Sequence, residues 1–294
     1  MGTYAVTGSA SGMGAAVVER LRADGHSVIT VDIRDADVVA DLATPVGRRQ
    51  AATNVLERCE GVLDGAVLAA GLGPSPGPDR PRLITEVNFF GVVELLEAWR
   101  PALAAVDRAK VVAFASNSTT TVPLVPRRAI TALLERDGER ALRSVRKFGR
   151  AAPALTYAAS KIALARWVRR QAVTREWAGA GIRLNAIAPG AILTPLLERQ
   201  LATRAEARQI KSFPVPIGGY GDAGHLADWV LFMLSESADF LCGSVVFVDG
   251  GSDAWFRADD WPERVPTRRV LGYFRRMREF KRVRRGSPSW MTDS

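Results

Sequence analysis

Short runs of apolar, mostly β-branched residues alternate along this chain with longer amphipathic stretches. Tyr4-Ala5-Val6-Thr7 is the first such run, and a glycine-rich turn and a helix to about Arg22 follow it. Ser27 to Val31 is a second and Asp37 to Ala40 a short third. Ala66–Ala69, Lys110–Ala115, Ile182–Ile187 and Ser244–Val248 complete the set. None of these runs alternates strictly between apolar and polar, so each predicts a strand covered on both faces. Helical patterns lie between them, including Thr44–Glu57, Leu83–Ala105 and Ala223–Leu234. This order demands right-handed crossovers and predicts an α/β fold, a doubly wound parallel sheet of Rossmann type with about seven strands.

Two segments break the alternation. The first, about residues 121–153, contains the helix-prone and charged stretch Ala129–Arg150, which predicts a helical insertion. The second is everything after Gly251. The expected organisation is one domain over residues 1–251 with a C-terminal extension over 252–294. Pro74-Ser75-Pro76-Gly77-Pro78 reads as a loop at the rim of a cleft.

Composition narrows the classes. Of 294 residues, 47% are hydrophobic and they are spread from Ala5 to Val248, which favours one well-filled core. No run of about 18 uncharged apolar residues predicts a membrane span. Met1 to Thr7 runs straight into the first strand, which argues against a secretory leader. Cys59 and Cys242 are too few for a disulfide framework and fit a reducing cytoplasm. With only His26 and His225 beside them, spacing assembles no metal site.

The net charge of +9 hints at nucleic acid until it is located. Arg257 to Arg285 holds eleven basic and four acidic residues, so +7 of the charge belongs to the tail. Within Arg268–Arg285, Val270, Phe274, Met277 and Phe280 fall near helical spacing among arginines, which predicts a basic amphipathic helix. Such a helix binds anionic membranes or packs on its own body or a partner subunit, and packing is the favoured reading. No nucleic-acid recognition motif or aromatic platform accompanies it, so no specific nucleic acid is expected.

Candidate chemistry begins at Thr7-Gly8-Ser9-Ala10-Ser11-Gly12-Met13-Gly14, between the first strand and the first helix. Glycines there let the backbone turn tightly and approach a diphosphate, which helix N-terminal amides attract. Asp32 ends the second strand, 20 residues after Gly12, where a carboxylate can accept hydrogen bonds from an adenosine ribose and repel the extra phosphate of NADP. The alternative for Asp32 is loop capping, and Arg34 could instead favour NADP. Asp41 either caps or contacts adenine.

Tyr157 and Lys161 stand at i and i+4, on one helical face. An ammonium beside a phenol favours phenolate, and such a tyrosine can take a proton from an alcohol or return one to a carbonyl. By itself this pair is more often a surface contact. Ser116 follows the Lys110–Ala115 strand at its carboxyl end, where open sheets present catalytic groups, and its hydroxyl could hold a substrate oxygen. Ser118 is the competing assignment.

Taken in order, Thr7-Gly8…Gly12…Gly14, Ala70-Gly71, Asn88, Ser116, Tyr157…Lys161, Pro189-Gly190 and Thr194 resemble the short-chain dehydrogenase/reductase family, over roughly residues 3–251. The resemblance implies Ser116 as carbonyl-positioning group, Tyr157 as acid/base, Lys161 on the ribose and lowering the tyrosine pKa, and Asn88 anchoring a relay water. It implies a nicotinamide cofactor, NAD ahead of NADP. Its site would comprise Gly8, Ser11, Gly12, Met13, Gly14, Asp32, Ile33, Asp41, Leu42, Ala70, Gly71, Tyr157, Lys161, Pro189, Gly190, Ile192 and Thr194. The family's usual Asn-Asn-Ala-Gly is reduced here to Ala69-Ala70-Gly71.

Val31–Asp37, Ala40-Asp41-Leu42, Ala69–Pro74 and Gly181–Ala191 are similar to the hydroxysteroid dehydrogenase/carbonyl reductase subgroup. That subgroup also carries a helical insertion between serine and tyrosine; here the two lie 41 positions apart. A bulky apolar alcohol or ketone is the implied substrate. Leu193, Leu196, Leu197 and Phe213, within a mobile loop over Ile192–Pro216, are available for an apolar wall. The insertion should block one helical interface and leave a homo-oligomer to form through another surface, such as the last-strand region.

Overall fold

The computed structural model describes residues 1–261 and 265–284, without the side chains at 196, 199, 200, 204–206, 209 and 281–284. Seven strands, β1 (Thr3–Thr7), β2 (Ser27–Asp32), β3 (Val38–Val39), β4 (Gly65–Leu68), β5 (Lys110–Phe114), β6 (Arg183–Pro189) and β7 (Val245–Val248), form one sheet. Their spatial order is β3-β2-β1-β4-β5-β6-β7 and every neighbouring pair is parallel. The order reverses direction beside β1, so the loops after β1 and β4 part there and leave a crevice at the carboxyl edge of the sheet.

Helices α1 (Gly12–Ala23), α2 (Pro45–Arg58), α3 (Arg80–Thr85) and α4 (Gly91–Leu103) precede β5. Then come α5 (Ser118–Thr121), α6 (Arg127–Leu134), α7 (Gly138–Arg146) and α8 (Ala152–Gln171), followed after β6 by α9 (Pro195–Ala202), α10 (Arg204–Lys211) and α11 (Ala223–Leu234). The short α12 (Ser252–Arg257) follows β7, and α13 (Val270–Arg284) lies in the tail. β4, β5 and most of β6 are buried on both faces. One cluster, including Val31, Leu68, Leu96, Trp99, Val111 and Leu164, fills the space under α2, α4 and α8. A second, including Val6, Val17, Leu21, Phe114, Ile187 and Val230, fills the space under α1 and α11.

One helical expectation changes and another gains detail. The single helix predicted over Leu83–Ala105 is divided by a π-helical turn at Glu86–Phe90. That extra residue rotates the chain so that Asn88, fully buried, turns its side chain onto the loop after β4. The insertion is two helices, because Arg136 adopts a left-handed conformation (φ 63°) and Asp137 caps α7 through Arg140 N, 2.8 Å away. Their inner faces bury Ile130, Leu133 and Val145, and Arg136 pairs with Glu97 of α4.

By contact the chain divides into two units, Met1–Phe256 and a second beginning at Arg257. In the second, α13 covers the stretch predicted as amphipathic; Arg285 lies outside the described residues. Its Phe274, Met277 and Phe280 are exposed. Among the described residues no helix is long and apolar enough to cross a membrane, and no group of three or more His, Cys, Asp or Glu is placed to hold a metal.

A buried ion cluster ties the cleft to the core. Arg48, 4% exposed, donates to Glu94 at 2.6 Å, Glu86 at 2.9 Å and the Leu42 carbonyl at 3.1 Å. It thereby joins α2, the loop after β3 and the π turn. Removing its charge strands two carboxylates that are only partly solvated. Arg48→Leu is therefore expected to cost about 2–3 kcal/mol of stability, measured as a lowered urea midpoint.

Candidate active site

The nucleotide-type cleft begins where β1 hands over to α1. Gly8 has φ +69°, and a Cβ there would lie 2.6 Å from the Ala70 nitrogen. A Cβ on Gly14 would lie 2.0 Å from the Gly8 carbonyl oxygen. Only glycines permit this approach, which aims the N-terminus of α1 into the crevice. Thr7 Oγ1 accepts from Ala70 N at 3.1 Å and ties the two strand ends together.

The cleft holds about 450 Å³. It is lined by Gly8, Ser11, Gly12, Met13, Gly14, Asp32, Ile33, Asp41, Leu42, Ala70, Gly71 and Thr194, all from the expected set. Asp32 accepts from Ala10 N at 2.9 Å and Ile33 N at 2.7 Å, so it caps the glycine loop as well as facing the cleft. Asp41 likewise caps, accepting from Ala43 N at 2.9 Å. Arg34 is not among the lining residues; it is exposed, 3.8 Å from Asp35. The cleft therefore presents a carboxylate, without Arg34, where a 2′-phosphate would need a cation.

Gly190 and Ile192 are not brought into this cleft. They line a separate pocket of about 150 Å³ with Val215, Ile217 and Trp229. Ile192 is buried in a bridge to Gly221, and the Pro189 carbonyl accepts from Asn117 N at 2.9 Å. These positions support the loop that carries Thr194. Missed from sequence were Leu72, Arg80, Leu83 and Val87, which also line the cleft. The spacing of 80, 83 and 87 marks one helical face and is the signal that could have found them.

The catalytic candidates meet at the ends of β4 and β5. Ser116 follows β5, is buried, and lies close enough to the Tyr157 phenol to influence its ionisation. Its Oγ accepts from the Ser118 backbone N–H at 3.1 Å, so the main chain of the rival serine holds Ser116 in place. Lys161 is 4% exposed and donates to the Phe114 carbonyl at 2.6 Å. Asn88 grips Leu72 at both ends, accepting from its N–H at 2.8 Å and donating to its carbonyl at 3.0 Å. A Cβ placed on Gly71 would lie 3.5 Å from Asn88 Oδ1 and 3.7 Å from Lys161 Nζ. Four segments distant in sequence converge here.

The electrostatics differ from expectation in one respect. Burial pushes the Tyr157 phenol up from its ordinary value, and the neighbouring Ser116 side chain pulls it back in part. The ammonium lies 6.0 Å from the ring centre and is committed to Phe114, so its pull on the phenol is weak in this arrangement. Burial brings Lys161 itself down to about 8. As for the apolar wall, Leu197 is buried, Leu193 exposed, and Phe213 packs against Phe256 with ring centres 5.8 Å apart. The Leu196 side chain lies outside the described residues.

A doubly wound sheet with a glycine-cradled cleft and a Ser–Tyr–Lys cluster beside it defines a dinucleotide-type oxidoreductase architecture. Comparison with known proteins agrees. A family model described as enoyl-(acyl carrier protein) reductase matches residues 8–253. The chain is 37% identical to the 3-alpha-hydroxysteroid dehydrogenase/carbonyl reductase of Comamonas testosteroni, over 87% of this chain and 98% of that one. It is 33% identical to coniferyl-alcohol dehydrogenase of Pseudomonas sp. (strain HR199 / DSM 7063), over 84% of this chain and 94% of the other. The crystal structure of 3-alpha-hydroxysteroid dehydrogenase from Pseudomonas sp. B-0831 complexed with NADH superposes with a TM-score of 0.81 at 40% identity, covering 88% of this chain and all of that one. The chain belongs to the short-chain dehydrogenase/reductase family.

Lys161 makes stability depend on pH. In the unfolded chain it stays protonated to its ordinary value near 10.5, whereas folded it loses its proton at about 8. Between those values the unfolded state binds more protons, so this residue raises stability as pH rises. Urea unfolding of the wild type and Lys161→Met at the two ends of that window should show the wild type gaining on the variant at the alkaline end.

Proposed function

We propose that this protein is an NAD-dependent oxidoreductase that interconverts a secondary alcohol and its ketone, with Ser116, Tyr157 and Lys161 as its working residues. The observation that carries the reading is the gathering of Ser116, Tyr157 and Lys161, with Lys161 set against Gly71 of a glycine-cradled cleft. NAD supplies the hydride acceptor or, reduced, the donor. Gly8, Ser11, Gly12, Met13, Gly14, Asp32, Ile33, Asp41, Leu42, Ala70, Gly71 and Thr194 would hold it. The carboxylate of Asp32 and the outward placement of Arg34 favour NAD over NADP.

The proton side of the reaction belongs to the chain itself. Ser116 holds the substrate oxygen, positioned by the Ser118 amide. Tyr157, kept neutral by burial, gives its proton to a carbonyl oxygen in reduction, and in oxidation its ionised phenolate takes one from the hydroxyl. Lys161 carries positive charge to the cofactor ribose and strengthens the tyrosine as an acid when drawn toward it. Asn88 holds Leu72, and thereby the loop facing Lys161. Pro189, Gly190 and Ile192 act behind Thr194 as supports.

The substrate is read from the relatives: a hydroxysteroid or another bulky apolar carbonyl compound, with aromatic alcohols the second choice. The protein assembles as a homo-oligomer through the β7 side. β7 is an edge strand, and Trp229 and Phe232 of α11, with Phe240 beyond it, are exposed large apolar residues. Phe240 is fully exposed, a costly place for an aromatic ring unless a second copy covers it. Two free cysteines fit a cytoplasmic location.

Tyr157→Phe should lower turnover of a 3α-hydroxysteroid by about 10²–10⁴-fold while NADH binding, read by fluorescence, stays intact. In the wild type, oxidation should quicken as pH rises through the alkaline range, because the raised phenol must ionise. A Phe variant with full turnover refutes the assignment. For assembly, Trp229→Glu with Phe240→Ser should shift the mass measured by light scattering to that of a monomer. An unchanged oligomer places the interface elsewhere.

A further inference from the structure

Among the described residues, the cleft contains one cation that neither the glycine loop nor the catalytic cluster accounts for. Arg80 is the first residue of α3 and lines the cleft together with Leu83 and Val87 of the same helical wall. Its Nε donates to the Gly73 carbonyl at 2.8 Å, a neutral acceptor, and it pairs with no carboxylate among the described residues. Burial pushes its pKa down from the ordinary guanidinium value, yet a guanidinium stays charged at neutral pH. Two residues further on, Arg82 is exposed and bound to Glu139 at 2.6 Å. The arginine turned to solvent has its counter-charge; the one turned to the cleft has none among the described residues.

A partly buried guanidinium without an anion is unfavourable, and occupancy by an anion relieves it. Its position says which anion. Gly73 belongs to the loop after β4, which touches the glycine loop at Ala70 and approaches Lys161 at Gly71. Arg80 is thus tied to the stretch that joins the α1 N-terminus to the catalytic lysine. The adenosine end of the same cleft carries the carboxylates Asp32 and Asp41. An anion belongs where amides and a guanidinium gather, away from those carboxylates.

We propose that Arg80 binds the diphosphate of the dinucleotide, closing on it from the α3 wall while the α1 N-terminus holds it from the glycine loop. The assignment rests on reading the cleft as a dinucleotide site. It gives the chain a side-chain contact to phosphate beyond the backbone amides of the glycine loop. It also gives the loop over residues 73–79 a reason to order, since its Gly73 carbonyl aims the guanidinium.

The test is binding, independent of turnover. ADP-ribose and adenosine are titrated into the full-length wild type, Arg80→Gln and Arg80→Lys by calorimetry, at low and moderate salt. Arg80→Gln should weaken ADP-ribose about tenfold and flatten its salt dependence, the size of a lost charge-assisted hydrogen bond, while adenosine binds as before. Arg80→Lys should recover most of the loss, and it supplies a charged, conservative variant should the glutamine protein fold poorly. Unchanged ADP-ribose affinity in Arg80→Gln overturns the proposal. So does an equal loss for both ligands, which would make Arg80 only a brace for Gly73. If the wild type binds neither ligand, the dinucleotide reading itself falls, and Arg80 with it.

Discussion

Burying Lys161 is the demand around which the active region is built. An ammonium at 4% exposure, with a neutral carbonyl as its described partner, costs folding free energy, and its pKa near 8 records that cost. The surroundings make the burial tolerable. Phe114 ends a strand buried along its whole length, so its carbonyl is fixed at the sheet edge. α8 carries the lysine within a buried stretch, where Ala158, Ala159, Ser160, Ala163 and Leu164 are all buried. The core on either side offsets the penalty and leaves a charge ready for an anionic or strongly polar partner. The same low-dielectric setting raises the Tyr157 phenol, so one act of burial moves both members of the pair.

Parallel order then does the assembling. Every strand delivers its carboxyl end to the same edge, and the reversal at β1 opens that edge between the β1 and β4 loops. The glycine loop, Asp32, the Ala70–Leu72 loop, Ser116 and Thr194 each follow or end a different strand. No two need be near in sequence to meet. Close contact requires particular residues at few points: glycine at 8 and 14, where a side chain would strike backbone, and Asn88, whose amide matches both groups of Leu72. The Arg48 cluster anchors the far side of this arrangement by joining α2 to the π turn that presents Asn88.

The insertion lengthens the path from Ser116 to Tyr157 without disturbing either. Its helices bury Ile130, Leu133 and Val145 inward, and Arg136 and Glu139 pair with Glu97 of α4 and Arg82 of α3. The outer faces of α4 and α3 are thereby engaged within the chain. The uncovered apolar residues on α11 and after it lie on the other side of the sheet, where the proposed homo-oligomer would meet.

Much of this was legible in the residue pattern. Continuous apolar runs of four to six residues can be satisfied only between two helical layers, and their alternation with helices leaves a parallel sheet as the economical solution. The glycine loop, Asp32, Ser116 and the Tyr157–Lys161 pair were found because each requires a residue type at a position set by a strand end or a helical turn. Other features depend on packing over long separations. The π turn at Glu86–Phe90 leaves no mark in local spacing, since its extra residue is accepted only because Asn88 gains Leu72. Gly190 and Ile192 turn away from the cleft because β7 and Gly221 claim them first. The direction of the Tyr157 shift follows from how completely the phenol is buried, which no spacing encodes. Short-range chemistry in the sequence thus determined which groups are available to act, while the tertiary structure decided which way they face, what charges them, and that Arg80 lines the same cleft.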